Sequence, residues 1–180
     1  MPVLPAALIV MNQQIAFMNE ATEYLPDRIG ELLESVPFEK VFFTQFINPP
    51  HVGGLSQTLG WDGLALDDPE TGIVPQFIHQ AKDHTITTSG FGLPLNVLPH
   101  LYGTSVNTVY LTGVETDCNI FKAAFDLFET NYRPVVLADY CASCGGAERH
   151  NSALALLRRH IGNAQVHAGQ FGRPEFALDI

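Results

Sequence analysis

The run from Val109 to Cys118, Val-Tyr-Leu-Thr-Gly-Val-Glu-Thr-Asp-Cys, reads as an apolar strand ending in a tight turn that delivers a cysteine to the start of a helix. A thiol there feels the positive end of the helix dipole and unpaired backbone N–H groups, both of which favour the thiolate. Cys118 is therefore the candidate nucleophile, and the backbone N–H groups of the Glu115 to Cys118 turn are candidates to stabilise an oxyanion. A rival reading makes Cys118 a small buried residue with no chemistry. Cys141-Ala-Ser-Cys144 has the spacing of a redox or metal half-site, but one such pair gives only two ligands. An incidental pair of thiols explains it, with a disulfide to Cys118 open under oxidation. His51 follows Asn48-Pro-Pro with no acid beside it, and His79, His84, His100, His150, His160 and His167 are scattered. No metal and no other cofactor is expected from such spacing. Gly90-Phe-Gly92 lacks the third glycine of a dinucleotide fingerprint and reads as a turn.

The elements that must position these residues alternate between strand and helix. Ala6 to Met11 is continuously apolar, as in a strand buried on both faces. Ile29, Leu32, Leu33 and Val36 recur at helical spacing after Asp27, a candidate cap. Lys40 to Phe46 and Thr85 to Thr88 read as further strands, with a long Gly- and Pro-rich connection over Asn48 to Thr71 between them. Within it, Trp61 with Leu59, Leu64 and Leu66 forms either a lid over a pocket or an interface patch. Pro94 to Tyr102 suggests a helical segment bent at Pro99. After the strand at Val109 to Thr112, a helix capped near Thr116 or Asp117 places Ile120, Phe121, Ala124, Phe125, Leu127 and Phe128 on its apolar face. A strand at Pro134 to Ala138 follows, then Gly145-Gly146. The next helix buries Ala153, Leu154, Leu157 and Ile161, and a last strand covers Gln165 to His167. This alternation predicts an α/β fold, a parallel sheet with helices on both faces. Ligands in such sheets sit beyond the carboxyl ends of the strands, near Asn12, Gln14, Phe46, Asn48, Thr88, Glu115, Cys118 and Asp139.

Composition narrows the class of partner. The 180 residues are 46% hydrophobic and 16% charged, enough for one core and a single domain over 1–180. Nine Lys and Arg against 19 Asp and Glu give a net charge of -10, which argues against nucleic acid and anionic membrane partners. The start lacks a basic leader, and no stretch is long enough to span a bilayer, so a cytoplasmic location is expected. Three cysteines without framework spacing agree with reduced thiols.

Several of these positions carry a resemblance. Ala7-Leu-Ile-Val-Met-Asn-Gln-Gln-Ile-Ala-Phe17 is similar to the opening motif of isochorismatase-like cysteine hydrolases, in which an aspartate stands where this chain has Asn12. Gly113-Val-Glu-Thr-Asp-Cys118 resembles the nucleophile motif of that family, and Ala123 to Phe128 with Arg133 to Asp139 extends the match over nearly the whole chain. The resemblance implies a three-layer α-β-α fold with a six-stranded parallel sheet. It also implies an Asp-Lys-Cys triad hydrolysing small amides or related C–N bonds, in some members an enol ether, and a non-proline cis peptide after Val114. Aligned so, the substrate-facing positions are Gln14, Phe17, Phe91, Val114 and Glu115, and His51 falls where metal-dependent nicotinamidase relatives carry an Asp-x-His arrangement. The family's habit of assembling, with Phe171, Phe176, Leu178 and Ile180 near the C-terminus, implies a homo-oligomer.

The departures from that pattern fall on the triad. Asn12 cannot accept a thiol proton at neutral pH as a carboxylate can. The lysine position aligns with Thr88 or, in a shifted alignment, with Thr85. Of Lys40, Lys82 and Lys122, only Lys122, one turn after Cys118, lies near enough to substitute. Losing anion and cation together avoids a buried unpaired charge, and neutral Asn12 and Thr88 are free to bond each other or a ligand. Two functions follow. One is a weak or altered cysteine hydrolase with Cys118, Asn12 and Thr88 at the catalytic positions, acting on a small amide. The other is a non-catalytic protein that retains the pocket for a small molecule or serves as a scaffold.

Overall fold

The computed structural model describes residues 4–93, 97, 101 and 106–171. Six strands form one sheet: β1 (Leu4–Met11), β2 (Phe38–Phe46), β3 (Thr85–Thr88), β4 (Thr108–Val114), β5 (Arg133–Ala142) and β6 (Val166–His167). They lie in the order β3-β2-β1-β4-β5-β6, and every neighbouring pair is parallel. Main-chain direction alone therefore puts all strand exits at one end of the sheet. The order reverses between β1 and β4, where Met11 pairs with Gly113, and it is there that a doubly wound sheet opens a crevice.

Alternating side chains of the strands feed two cores. On one face Ala7, Ile9, Met11, Val109, Leu111 and Val136 pack with helices α4 (Phe121–Glu129) and α5 (Ala147–Ile161) through Ala123, Ala124, Leu127, Leu154 and Leu157. On the other, Ala6, Leu8, Val10, Tyr110, Val135 and Leu137 pack with α1 (Leu25–Ser35) through Leu25, Ile29 and Leu32. Strands buried on both faces need the unbroken apolar runs seen in the sequence. The fold class inferred from the alternation and from the resemblance is the one observed.

Element limits differ in informative ways. Helix α1 begins at Leu25 with Pro26 in its first turn, and Asp27 makes no capping bond. Proline supplies the preset φ that a helix start accepts, which replaces the cap expected at Asp27. Strand β5 runs to Ala142, four residues beyond the expected Ala138, because the strand stays buried as far as Ala142. The connection after Asn48 contains a short helix, α2 (Gly54–Leu59), closed by Gly60 in the left-handed region, and a single 3-10 turn at Pro69–Thr71. Another short helix, α3 (Ile78–Ala81), leads into β3. The segment expected to be helical over Pro94 to Tyr102 lies largely outside the described residues, as do Phe176, Leu178 and Ile180. Among the described residues no helix is long and apolar enough to cross a membrane.

Candidate active site

A cavity of about 150 Å³ opens at the strand exits. Its wall is assembled from separate stretches of chain: Phe17 after β1, Phe46 at the end of β2, Leu55 on α2, Trp61, Phe91 after β3, and Glu115, Cys118 and Asn119 after β4. Three local devices hold that wall in place. Gly113 has φ +108 and passes so close to Met11 that a Cβ there would be driven into the Met11 carbonyl oxygen, so only glycine lets β4 exit beside β1. The Val114–Glu115 peptide is cis, as the resemblance implies. Asn48 donates to the carbonyls of Trp61 at 3.0 Å and Gly63 at 3.2 Å, which pulls the long connection over the end of β2. Trp61 then stacks on Phe46 with ring centroids 6.3 Å apart and 24° between planes. Of the two readings left open for Trp61, the structure places it in the pocket wall, while Leu64 is buried and Leu59 and Leu66 are exposed.

Cys118 sits in a π-helical turn, Thr116–Ile120, that leads into α4. Ile120 N–H donates to the Glu115 carbonyl at 2.9 Å, and Cys118 N–H reaches the same oxygen at 3.3 Å. Asp117 N–H donates to the Ser143 hydroxyl at 3.3 Å. Two of the N–H groups expected to face an oxyanion are thus already engaged. The Thr116 hydroxyl is 2.8 Å from His150 Nδ1, tying the turn to α5. The Cys118 thiol is pushed up to about 11, by burial first and then by the negative charges of Asp117 and Glu115. A helix-start dipole is worth at most about 2 kcal/mol, too little against burial and two carboxylates.

Asn12 and Thr88 do not bond each other. Asn12, buried and in the left-handed region at φ 48, accepts from the Thr44 hydroxyl at 2.8 Å, and its own N–H donates back to that hydroxyl at 3.1 Å. The Thr88 hydroxyl donates to the Gly90 carbonyl at 2.9 Å. Thr85 is at the opposite end of β3, where its hydroxyl donates to the Ala81 carbonyl, so Thr88 is the threonine on the pocket side. Neither Asn12 nor Thr88 lines the cavity. Gln14 does not either, because its side chain is spent on structure. It donates to the carbonyls of Phe46 at 2.9 Å and Thr71 at 2.8 Å and accepts from Phe46 N–H at 2.7 Å. Val114 is buried in the core on the α1 side. Phe17, Phe91 and Glu115 do face the cavity.

Lys122 takes no part in the pocket. It pairs with Asp126 one helical turn on, and its stem lies across Gly92, whose positive φ and missing Cβ make room for it. Asp126 also accepts from Leu93 N–H at 3.1 Å, so the turn around Phe91 is clamped to α4. Glu115 is the one acidic or basic side chain lining the cavity among the described residues. Burial raises its carboxyl above the ordinary range, hydrogen bonds from Cys144 oppose that, and Asp117 adds to it. Cys144 N–H donates to Glu115 Oε2 at 2.8 Å, and the Cys144 thiol bonds the Phe17 carbonyl at 3.3 Å. Cys141 is buried against the Leu111 carbonyl, and all three thiols are free. Beside His51 the sequence shows no acid, but folding brings Asp62 to 3.6 Å, where it accepts from the His51 backbone and from Ser56. Two donors on an exposed loop do not make a metal site, and the described residues hold no group of three His, Cys, Asp or Glu side chains able to share an ion.

The model of the isochorismatase domain matches residues 6–168. The chain belongs to the isochorismatase family. Solved structures agree in fold. A cysteine hydrolase from Pseudomonas syringae pv. phaseolicola 1448A is 19% identical with a TM-score of 0.74, over 92% of this chain and 90% of its own. PnC1 from L. infantum, solved in complex with nicotinate, is 18% identical with a TM-score of 0.74, over 94% and 99%. Nicotinamidase PncA from Bacillus subtilis is 16% identical with a TM-score of 0.71, over 91% and 99%. A comparison with curated proteins by sequence found no match.

Within this isochorismatase-family chain, Phe46 lines the pocket as its place at a strand exit suggests, and the lining residues that sequence reasoning did not single out are Asn119 and Leu55. Asn119 is buried beside Cys118 and lines the same cavity. Its signal was adjacency: in a tight helical turn both of two neighbouring residues can reach one pocket. Leu55 had no signal, since its place depends on the path of a long loop.

Proposed function

We propose that this isochorismatase-family protein binds a small molecule in the pocket beside Cys118 without hydrolysing it. One observation carries the reading. The Cys118 thiol is flanked by Glu115 and Asp117, and among the described residues no lysine, arginine or histidine lines the cavity. A nucleophilic thiol needs a cation or a base to take its proton. Asn12 and Thr88 at the aspartate and lysine positions supply neither, so the triad is degenerate as a unit. The lining that remains, four aromatic rings with a leucine, a thiol, a carboxamide and a carboxyl, suits recognition.

Weak hydrolysis is a second reading, and Glu115 favours it. Glu115 lines the same cavity as the thiol, and burial raises its carboxyl above its ordinary value, the direction in which a carboxylate becomes a better proton acceptor. The deciding experiment incubates the protein with a panel of small primary amides, follows product release, and weighs the intact chain. No turnover and no adduct, with ligand binding preserved in Cys118→Ala, is expected. An acyl adduct on Cys118, or product formation abolished by Cys118→Ala, would overturn it.

A further inference from the structure

We propose that the pocket beside Cys118 selects a small organic cation, of the alkylammonium class, over anions and neutral amides of the same size. The inference rests on the reading that the pocket binds without turnover. Phe17, Phe46, Trp61 and Phe91 come from four separate segments and converge on one cavity. The stacked pair Phe46 and Trp61 is held by the Asn48 bonds to the Trp61 and Gly63 carbonyls. Trp61 and Phe91 remain 41% and 52% exposed, so they form its mouth and are not ordinary core. Ring faces carry negative potential and attract a cation, and a quaternary ammonium most characteristically.

Charge points the same way. Among the described residues Glu115 is the only carboxyl in the wall, and Asp117 stands close enough to raise it. The nearby cation Lys122 is already paired with Asp126. A bound carboxylate would therefore meet rings and like charge with only the Asn119 amide and the Cys118 thiol as donors, whereas a cation meets four aromatic rings and a carboxyl. The Glu115 carboxyl is held by Cys144 N–H at one oxygen, which fixes its position. At about 30 Å³ for each water in the liquid, a cavity of about 150 Å³ admits a compact ligand the size of tetramethylammonium.

The test titrates tetramethylammonium into the full chain at constant ionic strength, beside tert-butanol, a neutral molecule of similar shape, and acetate. Binding is read by calorimetry and by the chemical shifts of pocket residues. Tetramethylammonium is expected to bind about ten-fold or more tighter than tert-butanol, with shifts at Phe91 and Asn119, and acetate not at all. Glu115→Gln keeps an acceptor for Cys144 N–H and should cost about ten-fold for the cation, leaving tert-butanol unchanged. Trp61→Leu, at the exposed mouth, should weaken the cation selectively. No saturable tetramethylammonium binding, shifts outside the pocket, or tert-butanol binding as well as the cation overturns the inference. A cation that binds while Cys118 also turns over amides leaves the inference standing and sinks the no-turnover reading.

Discussion

The Thr44 hydroxyl donates to Asn12 Oδ1 at 2.8 Å and accepts from Asn12 N–H at 3.1 Å, so side chain and backbone of one residue are pinned by a single neighbour on the next strand. An amide in that position is neutral and satisfied on its oxygen. Asn12→Asp keeps the Thr44 bond but buries a negative charge that no described lysine approaches. We expect it to cost roughly 3–5 kcal/mol when ionised. The sign follows from burial: a carboxyl raised in the folded state stabilises below its unfolded value near 3.9 and loses that contribution as pH rises. Urea midpoints should therefore fall further below wild type at pH 8 than at pH 4, and equal losses at both would refute a charge effect.

Cys118 should alkylate slowly at neutral pH. Its thiol is pushed from 9.0 to about 11 by burial, Asp117 and Glu115, so the labelling rate should climb through pH 9 and beyond with no plateau near 7. Peptide mass spectrometry separates it from Cys144, which is pushed up to about 12 by burial and Glu115. Glu115→Gln should shift both profiles to lower pH. The same raised thiols stabilise the fold below pH 9 and lose that contribution above it, so the thermal midpoint should drop on the alkaline side.

Two adjacent glutamines should behave oppositely. Gln14 makes three hydrogen bonds that join the exit of β1 to β2 and Thr71. Gln14→Leu strands buried Phe46 groups and should cost about 2–4 kcal/mol in denaturant unfolding. Gln13 is fully buried, and among the described residues neither its amide nitrogen nor its oxygen has a hydrogen-bond partner. Gln13→Met, of similar length, removes unpaired polar atoms and should be neutral or stabilising by about 1–2 kcal/mol. Equal losses in the two variants would contradict this.

Gly113→Ala combines a positive φ with a steric collision against the Met11 carbonyl. No side-chain rotation relieves a clash with backbone. We expect a loss above about 4 kcal/mol, seen as failure to fold or a collapsed thermal midpoint, and a stable, well-dispersed variant would show that β4 can move away from β1.

What could be read from sequence was whatever depends on local period. The core residues of α5, Ala153, Leu154, Leu157 and Ile161, are buried as their spacing predicts, and β3 spans the Thr85 to Thr88 expected. Partners set by tertiary approach were not readable. Nothing in the order of residues ties Asn12 to Thr44 or His51 to Asp62, since parallel pairing and loop path decide both. The resemblance located the Glu115 to Cys118 turn, but not the burial and the two neighbouring carboxyl groups that push its thiol up.

Trp61 is the only tryptophan in the chain, and it forms part of the pocket wall. The protein thus carries a built-in optical reporter in the wall of the pocket beside Cys118. Its emission arises from a single indole stacked on Phe46, free of background from any other. A guest entering the cavity displaces solvent from that ring and changes both the colour and the intensity of the light it returns, so ligand discovery for this molecule needs no label.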